Sequence, residues 1–232
     1  MNRQRSTEQL AQLERLTRLC NLNREGVAPA SIEASGFAEL DAALPGGGWQ
    51  SGTIVELMPT ETGIGELRLL MPALARITQA GRYIALISPP WIPFAPALAR
   101  HEVRLDRLVV VHSRSATDTL WAFEQTLRCK SFGAVLAWPA VVQDREVRRL
   151  QLAAEAGRST GFLYRPAAAA RESSPAAMRL RLHADSQGGL NLEILKCRGG
   201  RSGFSVQVRS QDQWRNSQAM ALEKAPGLTH AG

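Results

Sequence analysis

Apolar residues in the first three quarters of this chain fall into short continuous runs separated by helix-like stretches. Near the end they begin to alternate with polar residues. The predicted strands are 53–57, 82–88, 108–112, 133–138 and 160–165, and 133–138 is continuously apolar. An unbroken apolar run is the pattern of a strand covered on both faces, as in a parallel sheet. Helices are predicted between them, at about 37–44, 65–79, 115–130 and 144–158. Pro72 falls inside the second of these and, lacking an N–H, should kink it or shorten its first part. Gly81 stops that helix, and Ser115-Ala116-Thr117-Asp118 reads as a capping box opening the third. From Met178 the period becomes two. Segments 178–184, 190–196 and 204–208 alternate, with Gly188-Gly189 and Gly199-Gly200-Arg201-Ser202-Gly203 as turns. These are antiparallel hairpins. The predicted fold is α/β: a core with a mostly parallel sheet flanked by helices, closed by a C-terminal antiparallel hairpin extension.

Three segments stand apart from this core. Residues 1–24 carry Leu10, Leu13, Leu16 and Leu19 at helical spacing among arginines, an amphipathic basic helix that either packs on the domain edge or docks another chain. The stretch 89–96 holds four prolines and cannot enter a sheet interior. Its Trp91 and Phe94 either fold back on the core or form a partner-binding loop. Residues 167–177 are rich in Ala and Ser and are expected to be mobile. The predicted organisation is a helix and linker over 1–30, the core over 31–209, and a polar, flexible tail over 210–232 that carries Trp214.

Composition narrows the class. The 232 residues contain no run of 18 apolar residues, which argues against a membrane-spanning helix, and the polar N-terminus has no signal-like apolar stretch. Cys20, Cys129 and Cys197 are scattered, as are the four histidines, so neither a disulfide framework nor a metal site is expected, and a reduced cytoplasm is. The net charge of +7 and pI near 10.1 favour acidic partners, nucleic acid among them. Arg145, Arg148 and Arg149 on the predicted helix 144–158, and Arg201 in the last turn, are the candidate phosphate contacts.

The most informative stretch is the turn after the first core strand, Thr60-Glu61-Thr62-Gly63-Ile64-Gly65-Glu66. A strand, a Gly-bearing turn and a helix is the layout of a P-loop, whose backbone N–H groups wrap phosphates while a Lys and a hydroxyl complete the site. No register supplies those parts. If Gly63 ends the loop, the Lys and hydroxyl positions are Ile64 and Gly65; if Gly65 does, they are Glu66 and Leu67; if the strand sets the register, they are Gly65 and Glu66. A carboxylate there repels a triphosphate. The strand at 133–138 leads into Trp138-Pro139-Ala140, where an ATPase would place a magnesium-supporting acid. No nucleotide cofactor, no metal and no catalysis are expected.

The entry segment, Ser35-Gly36 through Leu44, Gly46-Gly47-Gly48 and Ser51 to Leu57, resembles the start of the recombinase RecA core. Leu192 to Arg198 with Phe204-Ser205-Val206 resembles its last hairpin. Leu69 to Leu74, the strand followed by Pro89, and Gly161 to Pro166 look like SulA, a cell-division inhibitor made in the SOS response. The combination resembles the ImuA family of translesion-synthesis accessory proteins, RecA-like and SulA-like at once. That resemblance implies a cytoplasmic, nucleoid-associated, non-catalytic adaptor in mutagenic DNA repair. Its implied partners are ImuB, RecA, the error-prone DNA polymerase and DNA. By the same resemblance, Lys196 and Arg198 are candidates to reach the ATP of an adjacent RecA subunit. Two alternatives stand beside it: a SulA-like inhibitor binding the division protein FtsZ, and an ATPase with an atypical site.

Overall fold

A computed structural model describes residues 31–113 and 115–209. The predicted helix 1–24 and tail 210–232, with Trp214, lie outside the described residues. In chain order the elements are β1 (Ile32–Glu33), α1 (Ala38–Ala43), β2 (Trp49–Gln50), β3 (Ile54–Pro59), α2 (Met71–Gln79), β4 (Tyr83–Ile87), α3 (Ala95–Arg100), β5 (Leu108–Val111), α4 (Ala116–Arg128), β6 (Phe132–Ala137), α5 (Asp144–Gly157), β7 (Thr160–Tyr164), β8 (Met178–Ala184), β9 (Leu190–Cys197) and β10 (Phe204–Val208). Pro72 does shorten the second predicted helix: a 3-10 turn, Arg68–Leu70, precedes α2, and the proline sits in its first turn, where its missing N–H costs nothing. Ser115 caps α4 by accepting the Asp118 N–H at 3.1 Å.

The main sheet has eight strands in the order β10-β9-β8-β3-β7-β6-β4-β5. All neighbours from β8 to β5 run parallel, and β9 and β10 close one edge antiparallel. The architecture is therefore α/β with a large mixed sheet, plus a two-stranded antiparallel ribbon of β1 and β2. On one face Val55, Leu57, Leu86, Leu136 and Phe162 pack with Leu74 of α2 and Leu40 of α1. On the other, Ile54, Ala85, Val135 and Leu163 meet Phe123 and Leu127 of α4 and Leu150 of α5. The alternation of burial on the two faces follows from the period-two placement of side chains along a strand.

One polar group interrupts the apolar sheet. Glu56, in the middle of β3, is fully buried and holds two guanidiniums: Arg165 at 3.0 Å and Arg179 at 2.7 Å. Ser174 Oγ donates to the same carboxylate at 2.8 Å. Arg179 also donates to the carbonyls of Glu172 and Ala169, each at 2.7 Å. The expectation that residues 167–177 are mobile therefore fails. The segment forms a 3-10 turn, Ala167–Arg171, and buries Ala169, Ala176 and Ala177. Its small side chains let it pass close over the buried ion cluster. Of the described cysteines, Cys197 is a buried free thiol and Cys129 is buried.

Removing one partner of a buried ion cluster strands the others in low dielectric, at a cost of about 3–5 kcal/mol. Glu56→Ala, which leaves the buried Arg179 without a carboxylate and Arg165 with Glu172 alone, is expected to lower unfolding free energy by that order in urea titrations. Glu56→Gln, which keeps the hydrogen bonds and the shape, is expected to cost less.

Candidate functional site

The parallel strands all end on one edge of the sheet, and the segments that leave them there enclose a cleft of about 500 Å³. Its walls come from four places. The turn after β3 contributes Gly63 to Arg68, the loop after β4 contributes Pro89 to Phe94, the end of β6 contributes Trp138, and the β8–β9 turn contributes Ala184, Asp185, Gly188 and Gly189. Met71 and Leu98 from α2 and α3 also line it. The lining is mostly apolar, the composition of a binding site rather than of a polar reaction centre.

The turn after β3 is closed by its own side chain. Gly63 and Gly65 adopt φ of 83° and 102°, conformations that favour glycine. Their N–H groups both point at the Glu66 carboxylate, at 3.1 Å each. Two backbone N–H groups converging in a Gly-rich turn are an anion nest, and here the anion is internal. The carbonyl of Glu66 in turn accepts the Tyr164 hydroxyl at 3.2 Å. Burial, and then the Glu66 carboxylate, hold that phenol well above its ordinary pKa, so it remains a donor. Thr60 is also committed: its N–H and hydroxyl both donate to the Leu182 carbonyl, at 2.9 and 3.1 Å. Glu61 and Thr62 are exposed beside it. At the end of β6 the Trp138 indole stacks on Tyr164, with ring centres 4.5 Å apart and planes 8° from parallel. Trp138 lines the cleft, and the buried Tyr164 supports it from behind.

The rim of the cleft is exposed hydrocarbon. Trp91 is 72% exposed, Ile92 89% and Phe94 69%. The prolines explain this. They keep the loop off the sheet edge, and Pro96 in the first turn of α3 returns the chain to the core only at Leu98. Of the two readings open for Trp91 and Phe94, folding back on the core is excluded. The sequence did not identify Ile92, Trp138, Leu98 or Asp185 as cleft residues. The continuous apolar strand ending in Trp138 was the available signal for one of them; the others are brought to the cleft only by the sheet order.

The basic candidates do not share this site. Arg145, Arg148 and Arg149 are exposed on α5, and Arg149 is paired with Glu124 of α4 at 2.6 Å. Lys196 is turned inward, donating to the Ser174 carbonyl at 2.7 Å. Arg198 lies 3.9 Å from Glu155, and Arg201 is exposed, over the Phe204 ring. None of these residues lines the cleft. No group of His, Cys, Asp and Glu suited to a metal occurs among the described residues, and no described helix is long and apolar enough to cross a membrane.

Fold and cleft together define an α/β protein with an apolar cleft rimmed by exposed aromatic side chains. Comparison with known proteins then points to a family. The family described as Cell division inhibitor SulA matches residues 52–161, the span from β3 through the Pro-rich rim to the start of β7. The chain is 27% identical to the cell division inhibitor SulA of Pectobacterium atrosepticum over 164 residues, covering 70% of this chain and 98% of that protein. It is 28% identical to SulA of Photorhabdus laumondii over 120 residues, covering 50% and 68% of the two chains. It is 27% identical to SulA of Serratia marcescens over 119 residues, covering 51% and 71%. These similarities overturn the assignment to the ImuA family. The translesion-synthesis role, and ImuB, RecA, the error-prone polymerase and DNA as partners, fall with it. The fragments that had looked like SulA were the informative part of that resemblance.

Two outcomes test the site's geometry. Glu66→Ala leaves the Gly63 and Gly65 N–H groups without their acceptor and is expected to cost about 1–2 kcal/mol in denaturant titrations. His101, on the cleft wall, has its pKa lowered, by burial first and by the Arg68 guanidinium second. The unfolded chain therefore binds that proton more readily, so this contribution to stability is complete above about pH 6.5 and declines as pH falls below it. Thermal melts across that range are expected to show a shallower acid slope in His101→Gln.

Proposed function

We propose that this protein is a non-enzymatic inhibitor of cell division that acts by gripping a protein target, and that the target is FtsZ. The observation that carries this is the exposed Trp91-Ile92-Phe94 rim beside an apolar cleft. Large apolar side chains gathered at one place on a surface mark a protein-binding site, and aromatic anchors contribute most to such interfaces. The span similar to SulA contains that rim, the β3 turn and Trp138. We read the scaffold as a degenerate ATPase. Glu66 supplies the negative charge that a phosphate would bring, and the magnesium-supporting acid is replaced by the stacked indole of Trp138. With the turn's N–H groups taken by Glu66, no backbone cradle is left for a triphosphate, so we read the cleft as a docking site. A division inhibitor of this kind works in the cytoplasm and is made in response to DNA damage.

The test is sedimentation of FtsZ polymers formed with GTP. The folded protein is expected to reduce the polymer fraction in a dose-dependent way, and Trp91→Ala with Phe94→Ala to raise the amount needed by about tenfold or more, as for loss of interface anchors. Because both rings are exposed, the double variant should keep its stability to within about 1 kcal/mol. Polymers unaffected by the folded wild-type protein would overturn the reading.

A further inference from the structure

Away from the cleft, α4 and α5 lie side by side on one face of the sheet. Each joins two parallel strands, α4 from β5 to β6 and α5 from β6 to β7, so the two helices run in the same direction. Glu124 fixes their registry. It is nearly buried between them and pairs with Arg128 of its own helix at 3.0 Å and with Arg149 of α5 at 2.6 Å. Trp121 and Arg128 stand on the exposed stripe of α4, and Arg145, Arg148, Arg149 and Leu152 on that of α5. Residues at these spacings are neighbours on a helix surface. Trp121 and Arg145 sit about one turn before the Glu124–Arg149 pair, and Leu152 about one turn after it. Trp121 is 50% exposed and Leu152 61%.

The acids of these helices are already committed. Glu124 is shared by two arginines. Glu146 accepts the Gln143 N–H at 2.7 Å. Glu155 accepts from the Gln151 amide at 2.9 Å and faces Arg198. Asp118 and Asp144 lie in the first turns of their helices, where the helix dipole favours them. Arg145 and Arg148 are exposed and have no acidic partner among the described residues. Two such cations set among exposed hydrocarbon are a different pattern from the row of cations that a phosphate backbone requires. A guanidinium fork matches a carboxylate, and Trp and Arg are the side chains that most often anchor protein interfaces.

We propose that the outer face of α4 and α5 is a second docking surface, and that its occupant is an acidic amphipathic helix of a partner protein. Two carboxylates of that helix meet Arg145 and Arg148, and its apolar side chains cover Trp121 and Leu152. The furrow between two packed helices accepts a third by ridge-and-groove packing, read by anchors at helical spacing. None of these four residues lines the cleft. The two surfaces are therefore filled independently, and the inference stands whatever the cleft binds.

The probe is a fluorescein-labelled, Ala-rich peptide of about 16 residues, long enough to hold a helix, with Glu and Leu on one face. Anisotropy titration with the full chain is expected to show saturable binding that weakens as salt rises. Arg145→Gln with Arg148→Gln is expected to weaken it about tenfold, and Trp121→Ala by about as much. The arginine double variant breaks no ion pair within the described chain, so it should keep the wild-type urea midpoint and inhibit FtsZ polymers as wild type does. No binding by wild type, or equal binding by the double variant, would overturn the proposal. Equal binding of a peptide with Gln in place of every Glu would do the same, since the face would then be merely apolar. Tighter binding of a short DNA duplex, lost in the double variant, would assign the face to nucleic acid instead. Loss of FtsZ inhibition along with peptide binding would make the two surfaces one interface and remove the second.

Discussion

A carboxylate in the centre of the sheet sets the conditions for everything on its C-terminal edge. Glu56 is buried on β3, and the cost of holding a charge there is offset only because Arg165, from the end of β7, and Arg179, from the start of β8, both reach it. Between those two arginines the chain crosses over the sheet, and the cluster holds that crossover down. Without it, β8 would have no fixed path to the parallel position beside β3. The antiparallel pair β9 and β10 builds on β8, and the β8–β9 turn forms one wall of the cleft. A single electrostatic knot thus links the middle of the core to the shape of the binding edge.

The same edge carries the Gly-bearing turn and the apolar cleft. Parallel strands deliver their loops to one side, and in α/β proteins ligands bind there. Here the Gly-bearing turn still gathers N–H groups, but Glu66 satisfies them from within. With that charge position taken, the remaining walls are free to be apolar. Trp138, Leu86, Met71 and Leu98 face inward, and the prolines of the β4 loop hold Trp91, Ile92 and Phe94 outward. A surface of this kind costs the folded protein an unfavourable exposure of hydrocarbon, which a bound partner would offset.

The span similar to SulA contains the β3 turn, the Pro-rich rim and Trp138, and the candidate arginines do not line that cleft. The basic residues that suggested nucleic acid are dispersed over α5 and the last hairpin, and several are engaged: Arg149 with Glu124, Lys196 with a backbone carbonyl. Net charge describes the whole chain, whereas a phosphate-binding face needs cations gathered on one surface. That distinction is why composition pointed to DNA and the described structure does not gather those residues at the cleft.

Local pattern was enough to place the strands and the long helices, because a doubly covered strand must be apolar throughout and a helix stop needs Gly or Pro at a definite position. It was also enough to show that the β3 turn lacks a Lys and a hydroxyl, since those are matters of residue type at a spacing. Three things required the folded chain. The order of the strands brought Trp138 and the 184–189 turn to the same cleft, although nearly fifty residues separate them in sequence. The small, polar look of residues 167–177 concealed a segment pinned by a buried ion cluster, because its ordering partners, Glu56 and Arg179, lie elsewhere in the chain. And Glu66 could be read as a repelling charge but not as the occupant of its own turn, since that depends on where two N–H vectors converge in space. Chemistry that follows from residue identity is written in the linear order; contacts between distant segments exist only once the sheet has been assembled.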